Sequence, residues 1–141
     1  MVLGYLWLAL IMILILKTGT EDNLLELRKL DGDIKFSKTW PASKLLSEEL
    51  PGIIEDALGS LNLMFYDVSG VVVFKGPGSY TGLRIGITVV NAIADQVGAL
   101  IIGETGDDWI EKGLERLQAG DKDQIVLPEY GGDANITKPR K

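Results

Sequence analysis

Continuous apolar runs predict three buried β-strands along this chain. The runs lie at residues 12–16, 70–74 and 99–103, and each is short, rich in aliphatic side chains and bounded by polar residues or glycines. This composition is typical of strands that are covered on both faces of a sheet, where no polar side is needed. We therefore expect the three segments to be the buried strands of one sheet.

Alternation of apolar and polar residues predicts a β-hairpin after the first of these strands. Leu25 and Leu27 alternate with charged residues, and Ile34 and Phe36 follow the same pattern. Asp31-Gly32 lies between the two segments and is expected to supply the positive φ angles of a tight two-residue turn. The second strand of the hairpin is expected to be broken at residues 40–43.

Apolar residues at three- and four-residue spacing predict three helices, with stripes that begin near residues 46, 83 and 109. In the first helix Pro51 interrupts the stripe, so a helix start or a kink is expected between Glu49 and Gly52. The second helix carries little charge, and we expect both of its faces to be covered. The order of elements is three strands, then helix, strand, helix, strand, helix, which predicts an α/β fold with a mixed sheet.

The start of the chain needs a separate account because residues 2–16 contain no charge. A membrane-spanning helix needs about 20 apolar residues, so this run is short by about a turn. The flanking residues provide neither the positive charge nor the cleavage site of a signal peptide. We expect residues 1–11 to be an apolar extension before a domain that begins at Met12, in a cytoplasmic protein. Membrane association through residues 2–16 is the less favoured alternative, and Met12 is an alternative start.

Composition excludes several kinds of catalysis. The 141 residues include no His and no Cys, which removes Ser-His-Asp and Cys-His machinery, a His proton shuttle and a Cys/His zinc site. Fourteen basic and 20 acidic residues give a net charge of -6, which argues against autonomous binding to a phosphate backbone. Any chemistry must therefore rest on carboxylates, Lys, Arg, hydroxyls and backbone amides, and we expect a partner to present any nucleic acid.

One segment carries a candidate functional motif. GPGSYTGLRIG, at residues 76–86, follows a predicted buried strand and opens the second helix. Glycines there allow positive φ angles and close approach of a neighbouring segment, and Ser79 or Thr81 can cap the helix start. Free amides beside Arg84 could also bind an anion, although the segment is neither a P-loop nor a dinucleotide fingerprint. A structural strand-to-helix turn is favoured, and a phosphate cradle and a partner-docking surface stay open.

This segment resembles the signature loop of the TsaB family, the small bacterial subunit of the machinery that makes threonylcarbamoyladenosine beside the anticodon of tRNA. Three further segments resemble the family at the corresponding places: MILILKTGTE from Met12, SEELPGII from Ser47 and GVVVFKGPGS from Gly70. The resemblance covers about residues 12–103, with a weaker similarity near the C-terminus.

The resemblance implies an actin-like ATPase-superfamily lobe, with a ribonuclease-H-like mixed five-stranded sheet flanked by helices. The implied divisions are an extension at 1–11, the N-terminal lobe at 12–103 and a reduced second lobe, a C-terminal helix and tail, at 104–141. It implies a non-catalytic scaffold that binds a TsaD-like catalytic subunit and works with a TsaE-like ATPase. The chain would contact tRNA indirectly through the complex and hold no cofactor of its own, with ATP bound at the level of the complex. A homodimer is an open alternative.

The resemblance also implies which residues form sites. The signature loop is expected to be structural or partner-facing, and its residues are Gly76, Pro77, Gly78, Ser79, Tyr80, Thr81, Gly82, Arg84 and Gly86. The partner interface is expected on two helices, at Leu46, Leu50, Ile54, Ile87, Val90 and Asn91. Lys17 stands where the family's opening strand usually ends in a metal-binding Asp, and a cation cannot ligate magnesium. The alternative function is an actin-like nucleotide-binding phosphotransferase fragment that holds phosphate on the glycine loop.

Overall fold

A computed structural model describes residues 11–130 of the chain. Its five strands are β1 (Met12–Lys17), β2 (Asp22–Lys29), β3 (Ile34–Pro41), β4 (Val68–Phe74) and β5 (Leu100–Glu104). Its helices are α1 (Leu46–Ser60), α2 (Tyr80–Val97) and α3 (Trp109–Gln118), and a short 3-10 helix, Phe65–Asp67, precedes β4. The predicted order of elements is confirmed.

The sheet is mixed, with strand order β3-β2-β1-β4-β5. β1 pairs antiparallel with β2 and parallel with β4, and β4 pairs parallel with β5. The middle strand is covered on both faces, and Ile13–Leu16 are at most 1% exposed. Gly113 of α3 packs on Val72 of β4. Since neighbouring residues of a strand face opposite sides, Val71 and Val73 face the other layer, where α1 packs on α2.

The helix α1 does not begin where its proline suggested. It starts at Leu46, before Glu49, and continues through Pro51, so the expected helix start between Glu49 and Gly52 is wrong. Pro51 lies in the second turn, where its missing N–H leaves the carbonyl oxygen of Ser47 without an intrahelical hydrogen bond. The buried stripe from Leu46 to Leu58 stabilises the helix against that cost.

The hairpin is confirmed, but its turn is not a two-residue turn. Strand β2 ends at Lys29, and residues 30–33 form the connection, with a positive φ of 97° at Gly32 and none at Asp31. The Asp31 carboxylate accepts the backbone N–H of Asp33 at 2.9 Å, which satisfies the turn locally.

Strand β3 also runs further than predicted, because it reaches Pro41. The expected break at residues 40–43 is therefore wrong for Trp40 and Pro41. β3 is the edge strand of the sheet, where the missing N–H of a proline leaves no neighbouring strand unpaired.

The apolar start of the chain contains the predicted first strand. Residues 12–16 form the buried strand β1, while residues 1–10 lie outside the described part of the chain. Ile11, assigned to the extension, is buried with the core. Within residues 11–130, no helix has both the length and the apolar character needed to cross a membrane. The division into an extension, a lobe and a C-terminal part stays a prediction.

Candidate functional site

The signature loop is fastened to the turn that joins β1 and β2. The loop leaves β4 after Phe74 and enters α2 at Tyr80. The backbone N–H of Ser79 donates to the carbonyl oxygen of Gly19 at 2.8 Å. The Thr18 hydroxyl donates to the carbonyl oxygen of Gly82 at 2.7 Å. Two hydrogen bonds therefore hold the start of α2 against the end of β1.

Three glycines of the motif make this contact close. A Cβ atom at Gly78 would lie 2.6 Å from the carbonyl oxygen of Gly19, and one at Gly82 would lie 2.7 Å from its Cα. A Cβ at Gly86 would overlap the Thr18 side chain. The glycines recur at every fourth position, so they lie along one side of the helix start. Packing accounts for this part of the motif.

Two of the backbone amides at the helix start are bound within the fold. Ser79 caps α2, because its hydroxyl accepts the backbone N–H of Gly82 at 3.2 Å, and its own N–H is bound to Gly19. Lys17, at the end of β1, places its ammonium 4.7 Å from the ring centroid of Phe74. A cation at this strand end repels magnesium and so does not fit the metal-nucleotide site of active members of the superfamily.

A segment near the C-terminal end of the described chain covers the loop from the other side. We call residues 123–130 the strap. Asn91 of α2 holds Val126 of the strap by two hydrogen bonds. The side-chain amide of Asn91 donates to the carbonyl oxygen of Val126 at 2.9 Å, and the backbone N–H of Val126 donates to the side-chain oxygen of Asn91 at 3.0 Å. The N–H of Glu129 donates to the carbonyl oxygen of Lys75 at 2.6 Å, and the Glu129 carbonyl packs on Gly76. Sequence reasoning missed this contact, since the two segments are far apart in the chain.

The six residues expected at the partner interface do not lie on a free surface. Five of them are at most 3% exposed and pack in the protein's own core: Leu46, Leu50, Ile54, Ile87 and Val90. The sixth, Asn91, holds the strap. The expectation that these side chains face a partner is corrected, because the apolar stripe of each helix marks the side that covers the sheet.

The outer side of α2 carries two grooves instead. The first groove, of about 330 Å³, lies between α1 and α2 and is lined by Ser47, Tyr80, Thr81, Arg84, Ile85, Thr88 and Val89. The second groove, of about 440 Å³, lies between α2 and the strap and includes Tyr80, Arg84, Thr88, Ile125, Leu127 and Tyr130. Tyr80 and Arg84 of the signature loop border both grooves, whereas Pro77 borders neither.

Aromatic and cationic groups fix the ridge between the grooves. Arg84 donates to the Tyr80 hydroxyl at 2.9 Å, and its guanidinium carbon lies 5.2 Å from the centre of that ring. The ring centroids of Tyr80 and Tyr130 are 4.7 Å apart. Burial and the neighbouring Tyr80 raise the pKa of Tyr130, while Arg84 acts in the opposite direction. The Tyr130 phenol therefore stays neutral at physiological pH.

A charged cluster, which sequence reasoning also missed, fixes α3 and the strap to β5. Arg116 contacts Glu104 at 3.0 Å, Asp121 at 2.7 Å and Asp123 at 2.8 Å. These hydrogen bonds raise the pKa of Arg116 above its usual range, against the effect of burial. Asp123 also accepts the backbone N–H of Gly103 at 2.8 Å. No short motif in the sequence marks these residues, because the fold brings them together.

The sheet order and the helical layers define an actin-like lobe with a ribonuclease-H-like sheet. The same fold is found in YeaZ from Pseudomonas aeruginosa, with a TM-score of 0.63, 24% sequence identity and coverage of 77% of this chain and 50% of that one. A second solved structure, described as a protein with similarity to peptidase YEAZ from Pseudomonas aeruginosa, has a TM-score of 0.61 and 25% identity, over 67% of this chain and 43% of that one.

Sequence comparisons relate the chain to proteins named for tRNA modification. The family model described as TsaD, tRNA N6-adenosine threonylcarbamoyltransferase, matches residues 41–105. The tRNA threonylcarbamoyladenosine biosynthesis protein TsaB of Bacillus subtilis (strain 168) is 44% identical over 41 residues, 29% of this chain and 18% of that protein. The tRNA N6-adenosine threonylcarbamoyltransferase of Bacillus thuringiensis (strain Al Hakam) is 31% identical over 84 residues, 57% of this chain and 24% of that protein.

The chain is thus similar to proteins of the TsaB (YeaZ) family and, over residues 41–105, to the TsaD family model. Its match spans about a quarter or less of each curated relative and half of the solved YeaZ chain. The names of these relatives place the family in tRNA modification.

Proposed function

We propose that the chain is a non-catalytic scaffold subunit of the tRNA threonylcarbamoyladenosine modification complex, and that it binds and supports a TsaD-like catalytic subunit. The observation that carries the proposal is the first groove on the outer side of α1 and α2. Ile85 and Val89 are only half-buried there, and Tyr80 is 58% exposed. Contiguous apolar surface of this kind marks a protein interaction site.

The chemistry available in the chain supports a binding role. The sequence has no His and no Cys. Lys17 occupies the strand end at which a metal-nucleotide site of the superfamily would need an acid, and the amides of Ser79 and Gly82 are bound within the fold. The alternative, a phosphotransferase fragment with phosphate on the glycine loop, therefore has less support.

The remaining roles follow from the same proposal. A TsaE-like ATPase would join the complex, ATP would bind at the level of the complex, and tRNA would reach the chain through its partners. The net charge of -6 supports indirect contact with tRNA. We place the protein in the cytoplasm, where tRNA is modified. A second copy of the chain could also use the first groove, so a homodimer is the competing assembly.

The test is complex formation with the TsaD-like protein of the same organism, measured by size-exclusion chromatography with light scattering on the full chain. Val89→Asp places a charge in the first groove, and Gln96→Asp adds the same charge on an exposed position of α2 outside both grooves. We expect the wild type and Gln96→Asp to form the complex and Val89→Asp to lose it while its circular dichroism is unchanged. A folded wild type that forms no complex would contradict the proposal.

A further inference from the structure

The two grooves meet at a ridge formed by Tyr80, Arg84 and Thr88. These residues are spaced by four on α2 and therefore lie in a row along one side of the helix. All three line both grooves. A partner that covers the first groove therefore also reaches the ridge and the edge of the second.

The first groove is mainly apolar, and the second groove combines apolar and polar surface. Ile125 and Leu127 of the strap are 59% and 66% exposed, and they lie across the second groove from Tyr80. Arg84 is the single side chain among the residues lining the two grooves that is charged at neutral pH. A cation thus stands between a mainly apolar groove and a groove of mixed polarity.

Arg84 is held in place, yet it has no anionic partner within residues 11–130. Its contacts are the hydroxyl and ring of Tyr80. The ion pairs formed by the described residues involve Arg28, Lys35, Lys75, Lys112 and Arg116, and not Arg84. Tyr80 is itself packed on Tyr130, so the group that positions the guanidinium also contacts the strap.

Covering both grooves would remove this cation from water. An unpaired buried charge opposes binding strongly, whereas a guanidinium with a fixed position can receive a carboxylate through two parallel hydrogen bonds. We infer that the partner presents a carboxylate side chain to Arg84, flanked by apolar side chains that enter the two grooves. This inference rests on the proposed function and specifies the chemistry of the partner's binding segment.

A protein carboxylate fits this surface better than an RNA phosphate. The mainly apolar first groove and the exposed Ile125 and Leu127 favour a ligand with apolar groups on both sides of Arg84, and a phosphate backbone does not supply them. The net charge of -6 also disfavours RNA. The strap residues Ile125 and Leu127 become part of the binding surface on this account.

The experiment measures the affinity of the full chain for the purified TsaD-like protein by calorimetry, at low and high salt. Arg84→Glu should weaken binding by about 100-fold or more, because it places a carboxylate opposite the partner's carboxylate. Arg84→Gln removes only the attraction and should weaken binding by about 10-fold. Lys122→Glu is the matched control, because Lys122 is exposed and borders neither groove. It should bind like the wild type. Leu127→Ser should weaken binding without changing its salt dependence.

The outcomes separate this inference from the proposed function. If the wild type does not bind at all, the proposed function fails. If the wild type binds, Val89→Asp abolishes binding and Arg84→Glu binds as well as Lys122→Glu, the inference is wrong and the proposed function stands. If Arg84→Glu instead abolishes only self-association, or only tRNA binding by the isolated chain, the occupant is a second copy or RNA, and the inference is also overturned.

Discussion

The hydroxyl of Thr18 donates a 2.7 Å hydrogen bond to the carbonyl oxygen of Gly82, across 64 residues of sequence. Thr18 is 1% exposed and rests against Gly86, one helical turn further along α2. The end of β1 and the beginning of α2 are thus joined by a buried contact that only glycine permits. Part of the signature motif serves this joint, and its exposed members Tyr80 and Arg84 are free to serve binding.

Gly86→Ala should destabilise the fold. The added methyl group would overlap the Thr18 side chain, and overpacking of this kind costs about 1–3 kcal/mol. Urea denaturation followed by circular dichroism measures the change. The control is Gly59→Ala in α1, where nothing lies within 4 Å of the new methyl group. There the higher helix propensity of alanine should stabilise the protein by up to about 1 kcal/mol. Equal effects of the two variants would contradict the packing account.

Neighbouring valines on α2 should respond differently to the same substitution. Val90 is fully buried, so Val90→Asp should unfold the protein or cost more than about 4 kcal/mol. Val89 lines the first groove, and Val89→Asp should leave the free energy of unfolding within about 1 kcal/mol of the wild type. Thermal unfolding of the isolated proteins distinguishes them. A stable Val90→Asp protein would show that the core and groove sides of α2 are assigned wrongly.

Asn91→Ala should release the strap. The substitution leaves the N–H and the carbonyl oxygen of the buried Val126 without partners, at a cost of about 1–3 kcal/mol. Hydrogen exchange followed by mass spectrometry should show faster exchange in a peptide that covers residues 122–130. Exchange in β1 should stay as slow as in the wild type. The exposed Gln96→Ala is the control and should change neither region.

The ion pairs of Arg116 should make the free energy of unfolding depend on pH in the acidic range. The Arg116 hydrogen bond holds the pKa of Asp121 below its ordinary value of 3.8. A carboxylate with a lowered folded-state pKa contributes stability above its unfolded-state pKa and loses that contribution as the pH falls through the folded-state value. The stability difference between the wild type and Arg116→Gln should therefore be constant near neutral pH and shrink below about pH 4. A difference that does not change with pH down to 3 would contradict the assignment.

Local patterns were sufficient for most of the fold. Period-two alternation predicted the hairpin, and apolar runs at 12–16, 70–74 and 99–103 predicted β1, β4 and β5 within two residues at either end. These features depend on which side chains face the core, and that is readable from spacing alone. Pro51 misled because the buried apolar stripe of α1 extends on both sides of the proline and stabilises the helix there. The hairpin turn differed because the Asp31 carboxylate accepts a backbone N–H within it.

The candidate site was less accessible to sequence reasoning. Ile87 and Val90 were expected to face a partner because they form the apolar stripe of α2. The same stripe instead packs in the protein's own core. The groove side of α2 carries an aromatic residue, a charged residue and an aliphatic residue, Tyr80, Arg84 and Val89. These three side chains form no apolar pattern that could mark the groove in the sequence. The bond between Asn91 and Val126 and the cluster around Arg116 depend on long-range contacts that no local pattern contains.

Hydrogen exchange of the full chain with and without the TsaD-like protein tests the central claim most directly. If the outer side of α1 and α2 is the docking surface, peptides that cover residues 80–89 and 125–130 should exchange more slowly in the mixture. A peptide that covers α3, on the other face of the sheet, should exchange at an unchanged rate. Slower exchange confined to α3, or no change in any peptide at saturating partner, would contradict the account.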